Sequence, residues 1–263
     1  MSTPETITPD LRTILRRLKL GRLDTLPERI SLARGQKMGY DDFLVLVLGD
    51  EVSRRESLAS TVRAQRAHLD PDMQLERWDD TAKVTFDRAL LNELVSLRFI
   101  EQHRHVAIVG QVGVGKTFIA HALGHLACRR GHSVLALRAD LMLKTLRHAR
   151  LDNTVEAELR KLIAVDLLII DDFGLDTMDA AESRDAYEIL TERHRAGSVI
   201  VTSNRGPDEW LVTFADPIRA QSAIDRFTNN AYDLVIEGES YRSRLKPRLA
   251  AAAPGKTGQK KPT

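Results

Sequence analysis

The sequence holds a single cysteine, Cys128, so the chain has no second thiol with which to form an internal disulfide. Small proteins of oxidising compartments usually carry several cysteines in even number. We therefore expect a protein of the reducing cytoplasm, with Cys128 as a small buried residue on a helix.

Long apolar runs are also missing. The longest ones, Phe43–Leu48 and Val165–Ile170, are far shorter than the about 20 residues with which a helix crosses a bilayer. Residues 1–10 are polar and lack the basic-then-apolar pattern of a secretion signal. These absences predict that the protein has neither a membrane-spanning nor a secretory segment.

Charge is abundant but unevenly distributed. The formal net charge is only +2, yet residues 11–37 hold eight Lys and Arg against Asp24 and Glu28. Residues 240–263 hold seven basic residues and no acid. Basic ends around a near-neutral middle indicate a polyanionic partner, and nucleic acid is the commonest one.

The N-terminal part predicts a small bundle of helices. An apolar stripe that begins at Leu11 predicts a first helix, a second starts near Pro27, and a third begins after Asp42. Residues 68–80 break the pattern around Pro71 and predict a connector. We therefore expect a basic, helical DNA-binding domain at residues 1–78. In the third helix we expect four side chains to point inward: Phe43, Leu44, Val47 and Leu48.

From Thr81 onward, strand and helix patterns alternate. Several of the predicted strands are continuous apolar runs, which is typical of strands covered on both faces. This order predicts an α/β fold at residues 79–242, in which helices flank a parallel sheet. Residues 243–263 are rich in Ala, Pro, Gly and Lys and predict a disordered basic tail. The predicted strands are 104–109, 133–138, 165–171, 198–203 and 232–236, and the predicted helices are 116–130, 139–149, 153–163, 180–195 and 217–229.

One segment matches the phosphate-loop pattern G-x-x-x-x-G-K-[ST] between a predicted strand and a predicted helix. Glycines let backbone N–H groups converge on phosphates, and the helix that follows presents its positive end to the same anion. We expect Lys116 to hold the β- and γ-phosphates of ATP and Thr117 to ligate Mg²⁺. The predicted nucleotide-binding residues are Gly110, Gln111, Val112, Gly113, Val114, Gly115, Lys116 and Thr117.

Two further strands end in polar residues. Asp171 ends the run 167–171 and is predicted to hold Mg²⁺, and Asp172 is predicted to orient or deprotonate the attacking water. Many related ATPases use Glu in that second role. Asn204, after the strand 198–203, is predicted to sense the γ-phosphate and the water. For both segments the alternative is an ordinary solvated turn.

Arg226 follows another predicted helix. A guanidinium there can reach the nucleotide of a neighbouring subunit and stabilise charge on the transferred phosphoryl group. The alternative is an intrachain ion pair with Asp225 or a neighbouring acid. Rival candidates for the same role are Arg193, Arg195 and Arg205.

Taken together, these motifs resemble the IstB family, the AAA+ helper ATPases encoded beside the transposase of bacterial insertion sequences. The family is related to the helicase loader DnaC and the initiator DnaA. The segments that carry the resemblance are Gly110–Thr117, Ile169–Gly174, Thr202–Arg205 with Trp210, Asp225–Phe227 and Gly238–Arg242.

The resemblance implies a fold and a set of partners. It implies the AAA+ P-loop NTPase strand order without a C-terminal lid domain, with Arg242 only a weak sensor candidate. It implies Arg226 as an arginine finger that acts across a subunit interface. The implied activity is ATP-dependent assembly as a homo-oligomer on duplex DNA, followed by recruitment and stimulation of a cognate transposase.

Two other functions stay open at this point. One is a DnaC-like replicative helicase loader, which would act on single-stranded DNA and a helicase. The other is a small-molecule kinase, against which stands the absence of a lid segment with clustered arginines after the sheet. For either DNA-binding function, basic side chains of the N-terminal helices would contact phosphates, unless they form an ordinary solvated helix face. These candidates are Arg12, Arg16, Arg17, Lys19, Arg54 and Arg55.

Overall fold

A computed structural model describes residues 7–20, 25–79 and 81–241 of the chain. The strands are β1 (Val84–Thr85), β2 (His105–Gly110), β3 (Val134–Arg138), β4 (Leu167–Asp171), β5 (Ser198–Ser203) and β6 (Ala231–Gly238). The helices are α1 (Pro9–Arg17), α2 (Leu26–Gly35), α3 (Tyr40–Arg66), α4 (Arg88–Val95), α5 (Arg98–Glu101), α6 (Lys116–Arg129), α7 (Ala139–Leu151), α8 (Val155–Ala164), α9 (Ala180–Arg193) and α10 (Pro217–Thr228).

The six strands form one sheet in the order β1-β6-β2-β5-β4-β3. All neighbouring strands are parallel except β1, which pairs antiparallel with β6. β5 therefore separates the phosphate-loop strand β2 from β4, the strand that ends in Asp171. This arrangement confirms the predicted α/β fold and the strand order that the resemblance implied.

The central strands β2, β4 and β5 are buried on both faces, as their apolar runs predicted. Val106 and Ile108 of β2 face one apolar cluster, together with α6 and the end of α3. Ala107 of the same strand faces a second cluster, which contains residues of α7, α8, α9 and α10. Successive strand side chains point to opposite faces, so the sheet is the middle layer between two layers of helices.

Several helices begin at acidic capping residues. The side chains of Asp87, Asp179 and Asp216 each accept hydrogen bonds from backbone N–H groups in the first turns of α4, α9 and α10. Such bonds satisfy donors that have no partner inside the helix. The loops at these ends of the helices are therefore fixed in place.

The N-terminal helices form a small cluster of their own. Leu26 and Val47 are buried there, with Leu11, Leu15 and Phe43 packed against them. The predicted inward face of α3 is partly wrong, because Leu44 and Leu48 are 53% and 45% exposed. The helical period shows which residues share a face, but not whether another element covers the whole of that face.

The end of α3 and the connector after it are fastened to α6. Arg63 Nε donates to the carbonyl oxygen of Cys128 at 2.8 Å. Asp70 is held at both backbone polar groups: its N–H donates to His121 Nδ1 at 3.0 Å and its carbonyl oxygen lies 2.8 Å from His125 Nε2. Leu69 also packs against Gly124, so closely that a Cβ there would lie 2.8 Å from Leu69 Cδ2. The division at residue 78 stays a prediction, and the last turns of α3 pack in the sheet's core.

Three elements between residues 81 and 104 had no counterpart in the prediction. β1 has only two residues and carries no periodic signal. α4 and α5 are short, although Asp87 before Leu90 and Leu91 is a recognisable helix start.

Among the described residues, no helix is both long and apolar enough to span a membrane.

Candidate functional site

The phosphate loop joins β2 to α6 and has the conformation that its glycines permit. Gly113 has a φ of +85°, and a Cβ on it would lie 2.1 Å from Ser240 Oγ. Gly115 has a φ of +99° and caps the start of α6, where a Cβ would lie 2.9 Å from the ring of Trp78. Any larger residue would be strained at these two positions and would collide with its neighbours.

Lys116 and Asn204 lie side by side. Their motifs predicted that both side chains act at the γ-phosphate, but not that they contact each other directly. Lys116 is 5% exposed, and its Nζ donates to Asn204 Oδ1 at 2.6 Å and to the carbonyl oxygen of Gln111 at 2.8 Å. A buried ammonium needs such oxygen partners. The contact brings the tip of β5 to the phosphate loop.

Asp171 accepts two hydroxyl hydrogen bonds on one oxygen atom. Thr117 Oγ1 donates to Asp171 Oδ1 at 2.9 Å, and Thr202 Oγ1 donates to the same atom. Hydroxyl and carboxylate oxygens are the ligands that Mg²⁺ prefers. The donor set of Thr117 and Asp171 therefore fits the predicted magnesium ion.

Thr202 is a site residue that the sequence reading missed. Besides its bond to Asp171, its hydroxyl accepts a hydrogen bond from the backbone N–H of Asp172 at 3.0 Å. Asp172 has a φ of +55°, in the left-handed region that few non-glycine residues adopt. One hydroxyl thus fixes two consecutive carboxylate residues. Thr202 stands two residues before Asn204 in the sequence, but no motif or spacing assigns it this role.

The loop that carries Asn204 is braced by aromatic residues. Trp210 Nε1 donates to Ser203 Oγ at 3.1 Å, and Ser203 Oγ donates to the carbonyl oxygen of Phe173 at 2.7 Å. The Trp210 and Phe173 rings meet edge to face with centroids 5.0 Å apart. These contacts explain why Phe173 and Trp210 accompany the catalytic candidates in the chain.

These groups line one open cavity of about 640 Å³ at the carboxyl ends of β2, β4 and β5. Lys116, Thr117, Asp171, Asp172 and Asn204 all contribute to its wall. Part of its wall is apolar and was not predicted from sequence. This apolar wall is formed by Met73, Trp78, Val84, Phe118 and Tyr241, with the Trp78 and Phe118 ring centroids 5.4 Å apart.

Arg226 lies far from this cavity. It lines a second cavity, of about 670 Å³, beside residues that precede β2, β5 and β6. Arg226 Nη1 donates to Thr191 Oγ1 at 3.2 Å, and among the described residues no carboxylate forms an ion pair with it. The alternative of an ion pair with Asp225 is therefore not what the structure contains.

The rival arginines differ in their surroundings. Arg193 is fully buried and donates to backbone carbonyl oxygens of five residues, so it is a structural residue and not a free finger. Arg205 is exposed next to Asn204, whereas Arg195 is exposed in the same cavity as Arg226. Arg242 and the predicted basic tail lie outside the described residues.

The DNA-contact candidates fall into two groups. Arg12, Arg16, Arg17 and Lys19 are exposed on and just after α1. Arg54 and Arg55 instead form ion pairs with Glu51, and hydrogen bonds from Arg54 and then Arg55 lower the pKa of Glu51 to about 2. Arg55 Nη2 also donates to the carbonyl oxygen of Lys19 at 2.9 Å, which ties α3 to the end of α1.

Comparison with known proteins agrees with this geometry. A protein described as ATP-binding in an insertion sequence of Mycobacterium tuberculosis is 37% identical over 241 residues, which cover 91% of this chain and 96% of that one. Two solved structures share the fold at low identity. DnaI is 21% identical with a TM-score of 0.54, over 62% of this chain and 90% of that one. The DnaC helicase loader is 18% identical with a TM-score of 0.50, over 56% and 86%.

The fold is therefore that of the AAA+ P-loop domains, with a helical N-terminal segment in front of it. The family model described as IstB-like ATP binding protein matches residues 13–249, which is most of the chain. On this match, and on the similarity to the insertion-sequence relative, the chain belongs to the family of IstB-like ATP-binding proteins.

Proposed function

We propose that this protein is a Mg²⁺-dependent ATPase that assembles with ATP on duplex DNA and recruits and stimulates a transposase. The observation that carries the ATPase proposal is the convergence of Lys116, Asn204, Asp171 and Thr117 in one cavity. Three separate strand ends contribute these groups, in the arrangement that ATP hydrolysis needs. The insertion-sequence relative supports the transposition context.

In the proposed reaction, backbone N–H groups of the phosphate loop and Lys116 hold the β- and γ-phosphates. Thr117 and Asp171 would hold Mg²⁺, which neutralises charge on the phosphate oxygens when bound. The apolar wall with Trp78 and Phe118 would bind the adenine base.

Asp172 is the proposed base for the attacking water. Water bonds to the γ-phosphorus, its proton passes to the Asp172 carboxylate, and the bond from the γ-phosphorus to the bridging oxygen of ADP breaks. Asn204 would orient the water. Arg226 of a second copy would stabilise the charge that develops on the transferred phosphoryl group.

The exposed basic residues of α1 support the DNA proposal. Lysine and arginine contacts to phosphates bind without reading sequence and weaken as salt rises. Arg54 and Arg55 are weaker candidates for contacts to DNA phosphates, because both already pair with Glu51.

We also propose a cytoplasmic location, in which the single Cys128 thiol is inert because burial raises its pKa to about 11.

The test is binding of labelled duplex and single-stranded DNA, with and without a non-hydrolysable ATP analogue. Tight, salt-sensitive binding of duplex DNA only with nucleotide is the expected result. The double variant Arg12→Gln/Arg16→Gln should weaken binding and flatten its salt dependence. Arg184→Gln removes an exposed arginine of α9 and serves as the matched control.

One other function has an observation in its favour. The fold similarity to the DnaC helicase loader keeps a helicase-loading role open. A preference for single-stranded over duplex DNA in the same experiment would favour that role and contradict ours. ATP turnover that needs no small hydroxyl acceptor would exclude a small-molecule kinase.

A further inference from the structure

The cavity that contains Arg226 holds two other arginines. Arg104, Arg195 and Arg226 come from three different segments, just before β2, just before β5 and at the end of α10. Among the described residues that line it, Asp225 supplies the one carboxylate. We call Arg104, Arg195 and Arg226 the arginine cradle.

The guanidinium groups of the cradle are not held by ion pairs with described carboxylates. Across the described ranges, no ion pair joins any of the three guanidinium groups to a carboxylate. Arg104 Nη1 donates to the Tyr232 hydroxyl at 2.7 Å, and its guanidinium carbon lies 5.5 Å from the centre of that ring. Two neutral partners, Tyr232 and Thr191, thus hold Arg104 and Arg226 in place without cancelling their charge.

Arg195 is presented by a rigid turn. It has a φ of +67° and lies two residues after the end of α9, and the next two residues donate backbone hydrogen bonds to the carbonyl oxygen of Arg193. The buried Arg193 side chain fixes this turn to the ends of α8 and β5 through its carbonyl contacts. A long cationic side chain on a fixed turn loses less freedom on binding than one on a mobile loop.

The cradle cannot serve the nucleotide of its own chain. It lies at the amino ends of β2, β5 and β6, whereas the phosphate loop follows the carboxyl end of β2. A strand rises about 3.3 Å per residue, so the six residues of β2 separate the two cavities by roughly 20 Å. An anion bound in the cradle would therefore belong to another molecule.

A second copy of this chain supplies such an anion in a concave site. Each copy carries one cavity for a triphosphate and one cavity rich in guanidinium groups, at opposite ends of the same sheet. Unlike surfaces on one chain form head-to-tail contacts between copies. The exposed basic groups for duplex DNA lie elsewhere, on α1. Planar guanidinium groups match phosphate oxygens in pairs.

We propose that Arg195 contacts, together with Arg226, the triphosphate of the ATP held by a neighbouring copy, and that Arg104 positions this pair. The proposal rests on the proposed ATPase function and extends it from one trans-acting arginine to a cradle of three. The ligand is a nucleoside triphosphate in the neighbour's site, and the partner is a second copy of the chain.

The test combines two variants in one assay. Arg195→Gln leaves its own phosphate loop intact but damages its cradle, and Lys116→Ala does the opposite. We expect Arg195→Gln to lower ATP turnover at least about tenfold while ATP binding is unchanged, since such arginines act mainly in the transition state. Mixing the two variants should restore part of the turnover, because intact cradles then meet intact nucleotide sites. Arg184→Gln is the control and should match the wild type.

Three results would overturn the proposal. They are normal turnover in Arg195→Gln, turnover that mixing does not restore, and loss of DNA binding in Arg195→Gln while assembly with a non-hydrolysable analogue is preserved, which would identify nucleic-acid phosphate as the ligand. Assembly with a non-hydrolysable analogue, followed by sedimentation, gives a readout that does not need hydrolysis. If the wild type assembles but shows no turnover, the ATPase proposal fails, whereas an assembly defect in Arg195→Gln still supports the cradle.

Discussion

The two ends of the central sheet are built in different ways. At the carboxyl ends, the functional side chains bind one another: Lys116 contacts Asn204, and Asp171 accepts from Thr117 and Thr202. At the amino ends, Arg104 and Arg226 donate to neutral hydroxyl groups and form no ion pair with a described carboxylate. One end is thus an internally organised candidate nucleotide site and the other a cationic surface. In our proposal the catalytic site needs both surfaces, and a single chain cannot bring them together because they lie at opposite ends of the same sheet.

The nucleotide end is best tested at Lys116. Lys116→Ala removes the buried ammonium that would hold the phosphates, so ATP binding, nucleotide-dependent assembly and turnover should all fall to background. Calorimetric titration with ATP and a sedimentation assay measure this directly. A Lys116→Ala protein that binds ATP normally would contradict the role of this end.

The cradle end is tested at Arg226. Arg226→Ala should bind ATP as the wild type does, yet its turnover should fall about 1,000-fold, the lower range for loss of an arginine finger. Steady-state phosphate release and ATP titration on the same sample separate the two effects. Loss of ATP binding in this variant would show that Arg226 acts within its own chain.

A finer test within the nucleotide end uses Asp172→Asn. The amide keeps the size of the side chain but cannot take the proton of the attacking water, so turnover should fall about 100-fold. Assembly with ATP should be preserved, because Lys116 and Asp171 remain. Turnover at the wild-type rate would show that another group is the base.

A buried histidine at the cradle end should make the stability of the fold depend on mild acid. His105 is fully buried at the start of β2, stacked on Phe227 with centroids 5.2 Å apart, and its Nδ1 accepts from Val199 N–H. Burial first, and then the nearby His194 and Arg193, lower the pKa of His105 to about 4. The unfolded chain therefore binds more protons at this residue below its ordinary pKa of 6.5, and stability is lost as the pH falls from there towards 4.

The expected loss from His105 is about 2 kcal/mol between pH 7 and pH 5. Urea unfolding at the two pH values measures it. His105→Asn keeps an acceptor for Val199 without the titration, so its stability should change less over this interval. An equal change in the variant would assign the acid sensitivity to other groups, of which His121 is one, since burial lowers its pKa too.

The nucleotide end was largely predictable because its signals are local. The phosphate loop is a contiguous motif, and parallel strands bring Asp171 and Asn204 to the same edge once the strand order is given. Thr202 and the apolar wall with Trp78 were not predictable, since their roles depend on contacts between segments distant in sequence. Leu44 and Leu48 show a related limit: periodicity gave a face of α3, but not how much of it is covered.

The fastening of Asp70 to α6 connects the phosphate loop to the N-terminal helices. Thr117, His121 and His125 are spaced by four residues and so share one face of α6, from the proposed magnesium ligand Thr117 to the connector. Both backbone polar groups of Asp70 are held by that face, and Arg63 ties α3 to the far end of the same helix. The helix is about 21 Å long, and any rigid-body movement of it would move the root of the N-terminal helices together with the phosphate loop.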